Sequence, residues 1–246
     1  MDEILSQWDD AAEIYLSTQE ASANVKINEE VVKNRFSDLS GKAVLDAGCG
    51  YGVFTDYFTH VGADVIGCDG SGEMLRIAKE KYPACEFQLV DMQKKLPYCD
   101  DQFDIVFCNQ VLMDIPEVQT LFSEFSRITR ENGILFFAIV HPVTYPGEWI
   151  EDKNGRKTSK IINNYTSIYK IEHNFCRKTT HFHRPISFYF NLAAKNNFYL
   201  VNMDEPCIYN NVSDVSNLPL FLFAEFKKHV VCDCPVPEQW VNKIDS

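Results

Sequence analysis

The sequence predicts an α/β protein in which a doubly wound, mostly parallel sheet carries helices on both faces. Short apolar runs alternate along the chain with segments whose apolar residues recur at helical spacing. The run at residues 43–45 leads into a turn with glycines at positions 48, 50 and 52, as strand–turn–helix units do. Residues 134–140 are apolar throughout, which is typical of a parallel strand buried on both faces.

The other elements follow from the same patterns. Apolar residues at helical spacing predict one or two helices in residues 1–36, with Trp8, Tyr15 and Leu16 on one face, and another helix over 116–130. Further strands are predicted at residues 64–69, 85–92, 103–110, 199–201 and 219–228.

Composition limits the possible partners. The chain has 246 residues, of which 46% are apolar, so one large domain with a full core is expected. Its net charge is −12, whereas proteins that hold a phosphate backbone usually carry a basic face. We therefore expect a small-molecule partner and no nucleic acid. The longest apolar run is too short to span a bilayer, and the acidic N-terminus lacks the basic region of a signal peptide, so no membrane association and a cytoplasmic location are predicted.

The nine cysteines predict neither disulfides nor a metal site. Their number is odd and their spacing suggests no disulfide framework, as expected of thiols in a reducing compartment. Cys232 and Cys234 are one residue apart, but no nearby Cys or His pair completes a metal site.

The glycine turn distinguishes between two ligands. A dinucleotide fingerprint has a third glycine where Val53 stands, so that pattern fails. The pattern D-x-G-x-G-x-G beginning at Asp46 instead resembles motif I of the class I S-adenosylmethionine-dependent methyltransferases. Residues 91–104 also resemble this family: Asp91 is followed by L-P-Y-C-D-D-Q-F-D at the family's spacing. The resemblance, to the members that act on small molecules, covers residues 42–141 and 183–228.

This resemblance implies a domain plan. It implies a Rossmann-like sheet of seven strands, whose last strand, at 219–228, runs antiparallel to the others. Residues 37–246 form the methyltransferase domain, and residues 1–36 form a helical lid that closes over the cofactor. Residues 142–182, where aromatic and charged residues mix, are an insertion of two or three strands after the fifth strand, on the substrate side.

Acids at strand ends are the main cofactor candidates. Asp69 ends the second strand 23 residues after Asp46, and a carboxylate there can accept both ribose hydroxyls; the alternative is an ordinary helix cap. The resemblance places Asp91 at the adenine, with a simple turn residue as the alternative. The predicted cofactor-binding residues are Tyr15, Asp46, Gly48, Gly50, Asp69, Gly70, Met74, Asp91, Met92 and Asn109.

The acceptor side has aromatic and histidine candidates. The predicted substrate contacts are Tyr145, Trp149, Tyr165 and Tyr169, with a surface flap with an aromatic underside as the alternative. A general base is needed only if the acceptor must lose a proton. Its candidates are His141, His181 and His183, although His183 also suits a cap on the final helix.

The predicted function is transfer of a methyl group from S-adenosylmethionine to an oxygen or nitrogen of a small molecule, by in-line displacement. A cofactor-binding partner protein without catalytic activity is one alternative. A nicotinamide-dependent oxidoreductase is a weaker one, because Val53 breaks the dinucleotide pattern.

Overall fold

The computed structural model of this chain describes residues 3–20, 22–174, 177–206 and 218–229. Two helices precede the sheet, α1 (Glu3–Glu20) and α2 (Ala23–Arg35). Strands and helices then alternate: β1 (Ala43–Ala47), α3 (Val53–His60), β2 (Asp64–Asp69), α4 (Gly72–Lys81), β3 (Glu86–Leu89), β4 (Phe103–Asn109), α5 (Gln119–Ile128) and β5 (Thr129–Val140). Cys232 and Cys234, considered above as metal ligands, lie outside the described residues.

The chain after β5 forms two hairpins and then completes the sheet. The hairpins are built from β6 (Glu148–Glu151) with β7 (Lys157–Ile161), and β8 (Tyr169–His173) with β9 (Thr179–His183). The last elements are α6 (Ile186–Lys195), β10 (Phe198–Asp204) and β11 (Phe221–Lys228).

Seven strands form one sheet in the order β10-β11-β5-β4-β1-β2-β3. The strands β1 to β5 pair with one another in parallel, whereas β11 is antiparallel to both of its neighbours, β5 and β10. The predicted fold class, a Rossmann-like seven-stranded sheet with an antiparallel last strand, is confirmed. Because β1 to β5 run in one direction, their carboxyl ends meet at one edge, where open sheets of this kind bind ligands.

Aromatic side chains fill the core on both faces of the sheet. On one face, Phe107 on β4 is fully buried and its ring lies 4.9 Å from Phe58 of α3 and 5.5 Å from Phe136 of β5. On the other face, Phe137 packs against Phe122 of α5. Truncating one such ring to alanine typically costs about 3–5 kcal/mol, so these contacts fix the helices on the strands.

The structure differs from the sequence prediction in two regions, the end of α5 and the insertion. The helix expected over 116–130 ends at Ile128, and β5 already begins at Thr129. Asn132, a residue type that often ends a helix, has a φ of 61° inside β5, beside a register shift against β4. The second difference is the insertion, which has four strands rather than two or three, and its last strand includes His183. Within the described residues, none of the helices has the length and apolarity needed to cross a membrane.

Candidate active site

The glycine turn after β1 is pinned to β2 by its backbone. The N–H groups of Gly48 and Cys49 both donate to the carbonyl of Cys68, at 2.7 and 2.9 Å. A Cβ at Gly48 would overlap the Val111 side chain, while a Cβ at Gly50 would meet no atom within 4 Å. Both glycines have positive φ, 78° and 53°. Gly48 is therefore required by close packing, whereas Gly50 presents its backbone to open space that a ligand can enter.

Asp46, near the end of β1, stabilises the turn by bonding to the helix that follows it. Its Oδ2 accepts a 2.6 Å hydrogen bond from the hydroxyl of Thr55 on α3. The carboxyl group is only 2% exposed, and burial raises its pKa to about 7 in spite of that hydrogen bond. Asp46 thus joins β1 to the helix that follows the turn.

Asp69, at the end of β2, connects the turn with α4. Its Oδ2 accepts from the N–H of Gly50 at 2.9 Å, and its Oδ1 accepts from the N–H of Ser71 at 2.8 Å. Burial raises the pKa of Asp69, and these backbone hydrogen bonds oppose that rise. Each carboxylate oxygen keeps a second lone pair, so the group can still accept two ligand hydroxyls.

Helix α1 lies over this edge of the sheet. Its Asp9 accepts hydrogen bonds from the Ser71 hydroxyl at 2.6 Å and from the N–H of Glu73 at 3.1 Å, at the start of α4. A Cβ on Gly70 would lie 2.5 Å from the Leu5 side chain. Three predicted cofactor residues, Tyr15, Gly70 and Met74, are therefore brought to one interface between α1 and the α4 region, where Tyr15 and Met74 share a cluster with Tyr51.

The residues after β3 have local partners. Asp91 accepts from the N–H of Gln93 at 3.0 Å and pairs with Lys94 at 2.9 Å, which is the geometry of a turn residue. Met92 is buried in the main core. A contact of Asp91 with adenine stays a prediction.

A strained, polar segment follows β4. Gln110 has a φ of 58°, a conformation that non-glycine residues rarely adopt and that concentrates at functional sites. Three side-chain atoms here are buried without a hydrogen-bond partner among the described residues: Asn109 Oδ1, Gln110 Nε2 and Asp114 Oδ1. Burial, and then the charge of Asp69, raise the pKa of Asp114 well above its ordinary value. Buried polar groups left unpaired in this way are the groups that a bound ligand can satisfy.

Among the three candidate bases, only His181 reaches this segment. Its Nε2 lies 3.2 Å from Oδ1 of Asp114, and its Nδ1 is buried without a hydrogen-bond partner in the described part of the chain. The ring lies 4.4 Å from that of His173 and 5.8 Å from that of Tyr145. Burial, reinforced by His173, lowers the pKa of His181 to about 3, so the ring is neutral at pH 7.

The other two histidines have structural partners. His141 accepts the N–H of Val143 at Nδ1, at 3.3 Å, and its Nε2 lies 2.6 Å from the Glu205 carboxylate, to which it donates. His183 donates from Nε2 to the carbonyl of Tyr165 at 2.9 Å. Both rings are buried and connect chain segments, and neither has been brought to Asp114.

One of the four predicted substrate aromatics joins this group. Tyr145 lies beside His181, with its hydroxyl 3.4 Å from Nε2 of His173. Trp149, on the first hairpin, is flanked by the ammonium groups of Lys157 and Lys160. Tyr165 accepts the N–H of Ile186 at 3.1 Å, which connects it to the start of α6. Tyr169 packs on its cross-strand partner His183 within the second hairpin.

A small cavity of about 20 Å³ opens beside His181, enough for one water molecule. Its apolar lining comes from the segment after β4, the end of β5 and the β8–β9 hairpin. The residues include Met113, Val140, Pro142, Ile171 and Phe182.

The sequence patterns did not predict Gln110, Asp114 and His173 as site residues. For Asp114 a signal existed, because it is an acid inside the otherwise apolar stretch 111–115, directly after a buried strand. Gln110 and His173 had no such signal.

Comparison with known proteins agrees with this geometry. Residues 45–137 match the model of a family described as a methyltransferase domain. A malonyl-(acyl-carrier protein) O-methyltransferase of Hamiltonella defensa is 36% identical over 101 residues, which are 41% of this chain and 39% of that protein. A ubiquinone biosynthesis O-methyltransferase of Thiobacillus denitrificans is 30% identical over 107 residues, 42% of this chain and 46% of that protein. The chain thus spans less than half the length of either relative.

The fold has a close counterpart among solved structures. An S-adenosylmethionine-dependent methyltransferase from Mesorhizobium loti superposes with a TM-score of 0.73 at 21% identity, covering 85% of this chain and 100% of the other. This likeness covers a larger part of the chain than the stretch of 45–137. The predictions of family, enzyme class and cofactor agree with these matches: residues 45–137 belong to the methyltransferase domain family, and the fold is that of S-adenosylmethionine-dependent methyltransferases.

Proposed function

We propose that this protein transfers a methyl group from S-adenosylmethionine to an oxygen atom of a small-molecule acceptor. The observation that carries the proposal is the position of Asp69, which holds the N–H groups of Gly50 and Ser71 beside the open face of the glycine turn. The two O-methyltransferases among the relatives favour oxygen over nitrogen as the acceptor atom.

The residues present fit the cofactor. Asp69 has free lone pairs for the ribose hydroxyls, and the open face of Gly50 allows a ligand to approach the backbone. The unpartnered Oδ1 of Asn109 can accept from the ammonium of the methionine moiety. The other residues we assign to cofactor binding are Tyr15, Asp46, Gly48, Gly70, Met74, Asp91 and Met92.

For this reaction the protein mainly has to position the reactants. When bound, S-adenosylmethionine supplies a methyl group that is already electrophilic because it is attached to positively charged sulfur. The task of the chain is to align the acceptor with that group and to exclude water, which can supply a large part of the rate. Helix α1 contacts the start of α4, and the β8–β9 hairpin contacts the segment after β4. We therefore assign residues 1–36 as the lid and 142–182 as the acceptor side of the 37–246 domain.

The partners and location follow from the same proposal. A small-molecule acceptor is consistent with the net charge of −12, which disfavours a nucleic acid. The absence of membrane association and the cytoplasmic location stay predictions from the sequence.

Calorimetric titration with S-adenosylmethionine and S-adenosylhomocysteine tests the proposal. The wild type should bind both, and Asp69→Ala should weaken both by about 10-fold or more, since hydrogen bonds to a charged group contribute about 1.5–3 kcal/mol. Asp38→Ala is the matched control, because Asp38 is exposed in the loop before β1 and, among the described residues, accepts only from Ser40.

The outcomes separate the functions. If the wild type binds neither compound, the proposal is rejected. If it binds both but never forms S-adenosylhomocysteine with any of a panel of hydroxylated aromatic compounds and amines, a non-catalytic binding protein becomes the better conclusion.

A further inference from the structure

Two ionisable side chains from distant parts of the chain meet between β4 and the β8–β9 hairpin. Oδ1 of Asp114 lies 3.2 Å from Nε2 of His181, in contact but without the angle of a hydrogen bond, and the two side chains are only 10% and 12% exposed. The remaining ring nitrogen of His181 is buried without a hydrogen-bond partner among the described residues. A carboxylate behind a histidine, with the far nitrogen free, is the arrangement of a general base with its orienting acid.

The surroundings of the pair disfavour charge. Burying an isolated carboxylate is costly, and the negative charge of Asp69 adds to that cost. Burial keeps His181 neutral as well. The titratable and charged groups that face the pair are Asp69 on β2, Cys108 on β4, Tyr145 after β5, His173 on β8, and Arg184 and Tyr189 at and within α6.

Arg184 does not neutralise the pair. Its guanidinium donates to the backbone carbonyls of Leu112, Ile115 and Pro116, at 3.1, 2.7 and 2.7 Å. These bonds shape the segment that carries Asp114 and direct the guanidinium toward the backbone. In the free protein Asp114 therefore favours its protonated form, in which it cannot serve a base.

We propose that Asp114 and His181 together take the proton of a neutral hydroxyl acceptor, and that binding of the positively charged cofactor prepares the pair by releasing a proton from it. This inference rests on the proposed function. A positive charge in the space that Asp69 borders favours the anionic form of Asp114 through Coulomb attraction. The carboxylate then accepts from Nε2–H of His181, which leaves Nδ1 as the base.

The pair specifies the class of acceptor. A carboxylate acceptor needs no base and would be repelled by Asp114 and Asp69, and a neutral amine needs no base either. A hydroxyl group does benefit from one, because its oxygen becomes a better nucleophile as the proton leaves. The cavity of about 20 Å³ beside His181 has room only for the hydroxyl end of an acceptor, and its apolar and aromatic lining, which includes Ile171 and Phe182, suits a hydroxyl carried on an apolar or aromatic compound.

Protons and electrons balance in the step. The hydroxyl proton moves to Nδ1 of His181 while the acceptor oxygen forms its bond to the methyl carbon. The electron pair of the broken carbon–sulfur bond stays on sulfur, which becomes neutral. The imidazolium that results is stabilised by the Asp114 carboxylate and later returns its proton to water.

Proton release on cofactor binding tests the inference without knowledge of the acceptor. S-adenosylmethionine and S-adenosylhomocysteine differ in the methyl group and its positive charge, so each should be titrated at pH 7 in phosphate and in Tris, whose ionisation enthalpies differ. The wild type should release more protons with S-adenosylmethionine. Asp114→Asn, which keeps the side-chain shape, should bind S-adenosylhomocysteine as the wild type does and lose that difference. Asp38→Asn should keep it.

Three results would overturn the inference, and they are distinguishable. Equal proton release for the two compounds in the wild type would show that the charge does not prepare the pair. An undiminished difference in Asp114→Asn would assign the proton to another acid, such as Asp46 or Asp69. No binding of either compound to the wild type would reject the proposed function, and this inference with it.

Discussion

At the scale of single residues, the site is built from acids whose neighbours assign them different tasks. Asp46 is tied to Thr55 and supports the turn, whereas Asp69 holds two backbone N–H groups and still has lone pairs to offer. Asp114 has no hydrogen-bond donor of that kind and depends on His181. In the function that we propose, the same residue type therefore serves structure, cofactor binding and acceptor chemistry according to the donors around it.

Gly48 and Gly50 offer a matched pair of substitutions. Gly48→Ala places a methyl group on Val111 and also requires a positive φ, while Gly50→Ala incurs only the conformational cost. We expect Gly48→Ala to reduce the free energy of unfolding by about 1–3 kcal/mol more than Gly50→Ala, the usual cost of overpacking. Urea denaturation of both variants measures the difference. Equal losses would mean that Val111 moves aside freely.

At the scale of elements, α1 is held at this edge of the sheet by an apolar cluster and by polar contacts with α4. Asp9 reaches the first turn of α4, where Ser71 is the N-cap and accepts the N–H of Met74 at 3.1 Å. Helix α2 is anchored differently, because Arg35 forms a bidentate ion pair with the buried Glu225 of β11. The lid that we propose is thus attached at one end to α4 and continues into a helix fixed on the opposite edge of the core.

Asp9→Ala tests the attachment of α1. The substitution removes the acceptor for the Ser71 hydroxyl and the Glu73 N–H, so we expect a loss of about 0.5–2 kcal/mol, in the range of a helix cap. Hydrogen exchange should then speed up in α1 more than in β4. The neighbouring Asp10→Ala, at an exposed position, is the control. Unchanged exchange in α1 would show that its apolar contacts suffice.

At the scale of the whole molecule, the parallel sheet collects acids from three strands at one edge. Asp46, Asp69 and Asp114 follow or end β1, β2 and β4, and the pKa of each is raised. The mutual repulsion of these acids is electrostatically unfavourable, and it suits a cofactor with a positive charge. The free energy needed to hold these acids together makes the stability of the folded protein depend on pH.

Asp46 gives that dependence a definite sign. Its folded pKa of about 7 lies above its unfolded value, so between about pH 4 and 7 the folded state binds more protons and its stability falls as pH rises. We expect the wild type to lose up to about 1.4 kcal/mol per pH unit relative to Asp46→Asn over this window. Denaturation curves of both proteins at several pH values give the difference. A difference independent of pH would place the pKa of Asp46 near its ordinary value.

The sequence by itself determined the sheet, the glycine turn and the positions of Asp46 and Asp69. Each of these depends on local patterns: apolar strands, glycines where the backbone turns sharply, and acids that directly follow buried strands. Parallel strand direction then brings those ends to one edge without further information. Asn132 shows the limit of local patterns, because its positive φ belongs to an irregular β5 rather than to the end of a helix.

Only the tertiary structure decided which histidine meets which acid. His141, His181 and His183 are alike in sequence, and their partners come from elsewhere in the fold: Glu205, Asp114 and the carbonyl of Tyr165. The docking of the β8–β9 hairpin onto β4 selects among them. The tertiary structure likewise decides that α1 packs against Gly70, through Leu5. Such contacts join segments far apart in the chain, so they depend on packing and leave no periodic signal in the sequence.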